Sequence, residues 1–174
     1  MDSLKIDYFT TNELTMETVD SINNLKNQHW KHTKEEHMQW FIDNIKTDDK
    51  HVLIWKENEL LAYLNLVHVD AEIDNQTFRM YGIGNVCVSK EQEHTGIGSI
   101  LMSSANAFIK RSGLCGLLLC HENTLKFYEC CGWSKIDVEQ SFIKSNVYEH
   151  FIMFYDPEHR LPNKAKVLMT NRNF

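Results

Sequence analysis

Apolar positions along this chain change their spacing from segment to segment, and each change marks a different element. Residues 5–10 alternate and predict a short strand. Met16, Val19, Ile22 and Leu25 then recur every third residue and predict a helix. Thr33-Lys34-Glu35-Glu36 has the spacing of a capping box, in which a hydroxyl and a carboxylate satisfy the free amides of a helix start. Met38, Phe41, Ile42 and Ile45 follow at i, i+3, i+4 and i+7, predicting a buried helical stripe.

From His51 the period shortens. His51-Val52-Leu53-Ile54-Trp55 is a β-branched and aromatic run, and Glu57-Asn58-Glu59 offers a turn. Residues 60–72 and 77–88 read as two long strands broken at Asp74-Asn75. Residues 96–112 return to helical spacing, with Ile97, Ile100, Leu101, Ala105 and Phe108 on one face and Gly113 placed as a C-cap. Gly116-Leu117-Leu118-Leu119-Cys120 is a continuous apolar run, as a buried strand requires. Residues 124–131 predict a short helix ending at Gly132, and residues 150–155 a last strand, with a further strand near 133–137. The order β-α-α-β-β-β-α-β-α-β makes a mixed α/β domain.

Length and composition narrow the class. At 174 residues, 43% hydrophobic and 11% aromatic, with two prolines and seven glycines, the chain suits one domain spanning residues 1–174, without long linkers. No run approaches the roughly 20 apolar residues of a membrane span, and the charged N-terminal run lacks a signal-peptide core. The expected setting is therefore cytoplasmic, with no membrane partner. Five cysteines, an odd count without a CxxC, predict reduced thiols. A net charge of −6 argues against nucleic acid and agrees with a cationic acceptor. His29, His32 and His37 match no metal-ligand spacing and read as surface histidines, so no metal is expected.

The chemistry concentrates in residues 86–101. A strand ends at Val86-Cys87-Val88, a polar turn follows, and a helix opens on Gly96-Ile97-Gly98. A helix N-terminus carries unpaired amides and partial positive charge, and glycines let backbone approach an anion. No Lys-Ser/Thr follows, which excludes a P-loop, and no third glycine follows, which fits a dinucleotide fingerprint poorly.

The run from Val88 through Glu93 to Gly96, Gly98 and Leu101 resembles the acyl-CoA motif of the GNAT acetyltransferase superfamily. Downstream, Asn123-Thr124-Leu125-Lys126-Phe127-Tyr128-Glu129-Cys130-Cys131-Gly132-Trp133 is similar to that family's second signature. The resemblance covers residues 50–156 and implies a central, mostly antiparallel sheet of six to seven strands flanked by four helices, splayed between its fourth and fifth strands. The acyl-CoA-binding core would span residues 76–134. Acetyl-CoA would be the cosubstrate: Val86, Cys87 and Val88 along the pantetheine; His94, Thr95, Gly96, Ile97, Gly98 and Ser99 on the pyrophosphate; Asn123 and Phe127 on the other side. Tyr128 matches the tyrosine that protonates the departing thiolate.

Two positions depart from the pattern. Glu93 stands where the family usually has Gln or Arg, and Gly84 where many members carry a glutamate base. The base stays open among His68, Asp70 and Glu72, which share one strand parity, His121 and Glu122, and a water chain. The activity implied is direct transfer of acetyl to a primary amine on a small molecule. Acetylation of a protein N-terminus or lysine, and a decayed acyl-CoA-binding module, are the alternatives. His51-Val52-Leu53-Ile54-Trp55, Phe78-Arg79-Met80-Tyr81-Gly82 and Leu125-Lys126-Phe127-Tyr128 are similar to aminoglycoside acetyltransferases of the 2′-amino type. Pairs are common in the family, so a homodimer is among the partners implied.

Overall fold

A computed structural model describes residues 3–174; Met1 and Asp2, at the head of the charged N-terminal run, lie outside the described residues. The described residues form ten strands and four α-helices: β1 (Leu4–Thr10), α1 (Met16–Asn27), α2 (Lys34–Asn44), β2 (Lys50–Lys56), β3 (Glu59–Ile73), β4 (Gln76–Val88), α3 (Ile97–Ser112), β5 (Cys115–Cys120), α4 (Glu122–Cys130), β6 (Ser134–Lys135), β7 (Asp137–Ile143), β8 (Asn146–Val147), β9 (Phe151–Tyr155) and β10 (Lys164–Thr170). The α/β class stands, while the strand count exceeds the six to seven expected. The chain groups into two compact units: residues 1–67, 84–105 and 174 in one, 68–83 and 106–173 in the other.

In the first unit β1 pairs antiparallel with β2, and β2 with the first half of β3. Ile22, Leu25, Leu53, Leu60, Tyr63 and Cys87 pack together here, closing α1 against the strands. Both predicted helix starts are capped: Thr15 Oγ1 accepts from the Thr18 amide at 3.2 Å, and Thr33 Oγ1 from the Glu36 amide at 3.1 Å. The Glu36 carboxylate completes the capping box on the Thr33 amide at 2.7 Å. The predicted stripe of α2 is rotated, however. Ile42 is 65% exposed, whereas His37 is 4% exposed and the Trp40 ring receives the Lys26 ammonium at 4.4 Å. Polar side chains on α1 face this side of α2, so an imidazole and an indole fit there better than the aliphatic Ile42.

In the second unit the strand order is β6-β9-β5-β4-β3-β10-β7-β8. The hairpin between β3 and β4 turns at Asp74 and Asn75, both left-handed (φ 49° and 68°), a conformation that Asp and Asn tolerate better than other side chains. Asp74 also recruits a strand that its own pattern does not announce. Its Oδ1 accepts from the amides of Lys166 and Val167, each at 2.9 Å, seating β10 antiparallel to β3 and parallel to β7. The strand expected near 133–137 is divided into β6 and the start of β7.

Burial along β3 reflects the two settings. Residues 60–67 are buried without interruption, as in a strand covered on both faces, while from His68 to Ile73 buried and half-buried positions alternate.

Candidate functional site

The loop carrying the glycines leads into the start of α3 in the first unit. After Val88 the chain makes a short 3-10 turn over Lys90–Gln92, whose Gln92 amide donates to the Ser89 carbonyl at 2.8 Å. The loop then passes His94 at φ 62° and Gly96 at φ 94° before α3 begins. A Cβ added at Gly96 would meet nothing within 4 Å, so its glycine answers to backbone conformation rather than to crowding. The first intrahelical bond is Ile100 amide to Gly96 carbonyl at 3.1 Å, which leaves the amides of Ile97, Gly98 and Ser99 in the unbonded first turn. Glu93 is exposed.

Pairing of β4 with β5 runs from Met80↔Cys115 to Ile83↔Leu118 and stops, although β4 continues to Val88. Asn85 is left-handed at φ 52°, which breaks the pleat just before Val86. Its Nδ2 donates to Asn65 Oδ1 at 2.6 Å. Beyond the break the strand is tied to α1's end: the His29 ring nitrogen Nε2 lies 2.7 Å from the Val88 carbonyl, and Lys90 N donates to Gln28 Oε1 at 2.9 Å. Cys87 is 3% exposed, and burial pushes its thiol up to about 12, which marks a packing side chain rather than a nucleophile.

Sequence reasoning missed a pocket of about 430 Å³ in the same unit, walled by Trp30, Trp40, Lys26, His32, Glu36 and His37. Asn85, immediately before Val86, forms part of its lining. Lys26 is 4% exposed, and burial holds its ammonium down to about 8. His37 is held below the ordinary imidazole range by burial first, then by the charge of Lys26 and by His32. His37 Nε2 is enclosed without a hydrogen-bond partner. The expectation of surface histidines fails for His37, whereas His29 and His32 are exposed. The only prior signal for the pocket is the density of Trp, His and Lys between residues 26 and 40. Among the described residues no group of His, Cys, Asp or Glu is arranged to hold a metal ion.

The second unit carries Asn123, Phe127 and Tyr128, all on α4. Asn123 is exposed, Phe127 half-buried, and Tyr128 8% exposed, its ring edge-on to Phe127 at 5.1 Å. The left-handed Gly132 (φ 86°) ends this segment, and Trp133 Nε1 donates to Asn106 Oδ1 at 2.9 Å. Of the candidate bases here, Asp70 already accepts from Arg79 at 3.3 Å and from Asn171 at 3.1 Å, and His68 stacks on Tyr81 at 4.4 Å. His121 lies edge-on to His150 with ring centroids 4.1 Å apart, and Glu122 is exposed in the first turn of α4.

Residues 10–136 match the family model described as an acetyltransferase (GNAT) domain. No curated protein matches in sequence. Among solved structures, Escherichia coli ElaA superposes with a TM-score of 0.67 at 20% identity, over 88% of this chain and 100% of its own. An acyl-CoA N-acyltransferase from Pseudomonas aeruginosa gives 0.66 at 19% identity, over 88% and 100%. A GNAT family acetyltransferase from Brucella melitensis, solved in complex with acetyl-CoA, gives 0.62 at 12% identity, over 95% of each chain. Among the described residues no helix is long and apolar enough to cross a membrane.

Proposed function

We propose that this chain, which belongs to the GNAT acetyltransferase family, moves acetyl from acetyl-CoA to a primary amine on a small molecule by direct transfer. The observation that carries the reading is the succession along one unit of a pocket ending at Asn85, the strand residues Val86–Val88, and an unbonded helix start at Ile97–Ser99.

The chain's residues fit the cosubstrate. The pyrophosphate carries negative charge, and the free amides of Ile97, Gly98 and Ser99 offer donors at the positive end of a 16-residue helix, with His94, Thr95 and Gly96 leading into it. Glu93, on the exposed side of the loop, keeps its carboxylate in water, where repulsion is weak. The backbone of Val86, Cys87 and Val88 lies past the last β4–β5 pair and offers hydrogen-bonding groups to an extended amide chain. When bound, acetyl-CoA supplies an acetyl group on a good leaving thiolate.

The protein's part is to hold the amine close, a contribution that positioning alone can make large. Asn123 and Phe127 are assigned to the cofactor, and Tyr128 to protonating the thiolate. A pocket of about 430 Å³ suits a small molecule better than a polypeptide. Its single carboxylate, Glu36, set against the buried Lys26, supports an acceptor of low positive charge rather than an aminoglycoside.

Calorimetric titration with acetyl-CoA tests the reading. Micromolar binding is expected, lost when Gly96 becomes Val, because a branched side chain opposes φ 94°. A folded wild-type protein that binds no acetyl-CoA would overturn it.

A further inference from the structure

The pocket before Asn85 contains an electrostatic imbalance. Lys26 projects from α1 into a space bounded by Trp30 and Trp40, and its ammonium sits 4.4 Å over the Trp40 ring. Among the described residues that ammonium makes no ion pair and no hydrogen bond. A π-face attracts a cation but accepts none of its three N–H bonds in the manner of an oxygen. A buried ammonium left in this state is costly, and an anion brought to it recovers much of that cost.

The neighbours do not supply that anion. Glu36, on α2, has its carboxylate on the Thr33 amide at 2.7 Å, and its other near partner is the His32 ring at 3.8 Å. His37 and His32, also facing the space, are neutral or positive. On β4, Cys87 is a protonated thiol. The remaining walls are two indoles and the Asn85 amide, so the space combines one bare cation with flat apolar surfaces.

We propose that this pocket takes an amine acceptor bearing a carboxylate, the carboxylate pairing with Lys26 and an apolar body lying against Trp30 and Trp40. The acceptor class is thus an apolar amino acid or a close relative, whose amine can extend past Asn85 toward Val86. This rests on the acetyltransferase reading and narrows its substrate. Pairing favours the charged lysine, so binding draws a proton from solvent when the pH is at or above about 8, where the empty pocket leaves part of Lys26 neutral. At pH 6.5 Lys26 is already charged and no proton uptake accompanies binding through it.

The test uses the full chain and the product forms of such acceptors: N-acetyl-phenylalanine, N-acetyl-methionine and N-acetyl-leucine, each compared with its carboxamide. Titration is followed by tryptophan fluorescence, and by calorimetry in two buffers of different ionisation enthalpy. At least one carboxylate is expected to bind about tenfold or more tighter than its amide, roughly the effect of one charge-assisted pair. Lys26→Met keeps the stem against Trp40 and is expected to abolish that preference and the proton uptake at pH 8.5.

Equal binding of acid and amide, no binding of any of the three acids, or uptake at pH 8.5 that persists in a folded Lys26→Met protein would each overturn the proposal. The wild-type comparison of acid with amide needs no variant and stands if Lys26→Met fails to fold. The outcome is separable from the acetyltransferase reading. Acetyl-CoA binding without carboxylate preference sinks only the acceptor class. Carboxylate binding dependent on Lys26 without acetyl-CoA binding sinks the transfer activity instead.

Discussion

Gly84 and Phe174 compete for one space: a Cβ built on Gly84 would overlap the carbonyl carbon of Phe174 and stand 3.0 Å from its oxygen. The glycine at the place of the family's glutamate therefore makes room for backbone, in addition to removing an acid. Gly84→Ala is expected to destabilise the protein by about 1–3 kcal/mol through overpacking, read as a lower urea midpoint at unchanged slope. Gly84→Glu should be worse and should not raise activity. A stable, faster Gly84→Glu enzyme would refute this account.

His51 links stability to pH. Its Nδ1 lies 2.9 Å from the Tyr63 hydroxyl and its Nε2 2.9 Å from Thr11 Oγ1, and burial pushes the imidazole down to about 4. Between about 6.5 and 4 the unfolded chain binds a proton at His51 that the folded chain refuses. Stability should therefore fall as pH drops through that window, by roughly 3 kcal/mol from this residue at the lower end. Urea unfolding at pH 7.5, 6 and 4.5 measures it. His51→Phe should flatten the dependence while lowering stability at pH 7.5, because Tyr63 loses its partner.

The Asn106 amide bridges two groups that hold the end of α4. Its Oδ1 accepts from Trp133 Nε1 at 2.9 Å and its Nδ2 donates to the Cys131 carbonyl at 2.8 Å. Asn106→Leu keeps the volume but strands the indole N–H of a residue only 2% exposed. A loss of about 1–3 kcal/mol is expected in thermal or urea unfolding.

Thiol reactivity should follow burial. Cys130 is exposed, whereas Cys87 and Cys115 are buried, with their thiols pushed up to about 12 and about 11. Iodoacetamide on the native protein at pH 8 should modify Cys130 first and leave Cys87 and Cys115 untouched until the chain unfolds, as mass spectrometry of peptides would show.

If Tyr128 protonates the thiolate, Tyr128→Phe should lower kcat by about 10²-fold with acetyl-CoA affinity unchanged. Equal losses in kcat and in affinity would point to a packing role.

Much of this molecule is legible without coordinates, for a local physical reason. Helix starts at Thr33 and the glycine loop before α3 depend on residues within one or two turns, and the long strands β3 and β4 depend on continuous apolar runs. Such features are carried by neighbours in the chain, so their pattern is visible in it. The strand β10 is different: Lys164–Thr170 is short and half polar, and it becomes a strand because Asp74, some ninety residues earlier, accepts two of its amides. His37 likewise reads as a surface residue, and its burial, with that of Lys26 and His51, follows from how the helices and strands of the first unit pack. The charge state of Lys26 and the pocket it lines both depend on that burial. The sequence by itself thus determined most of the elements and the glycine loop before α3, while tertiary packing decided which polar side chains lost water.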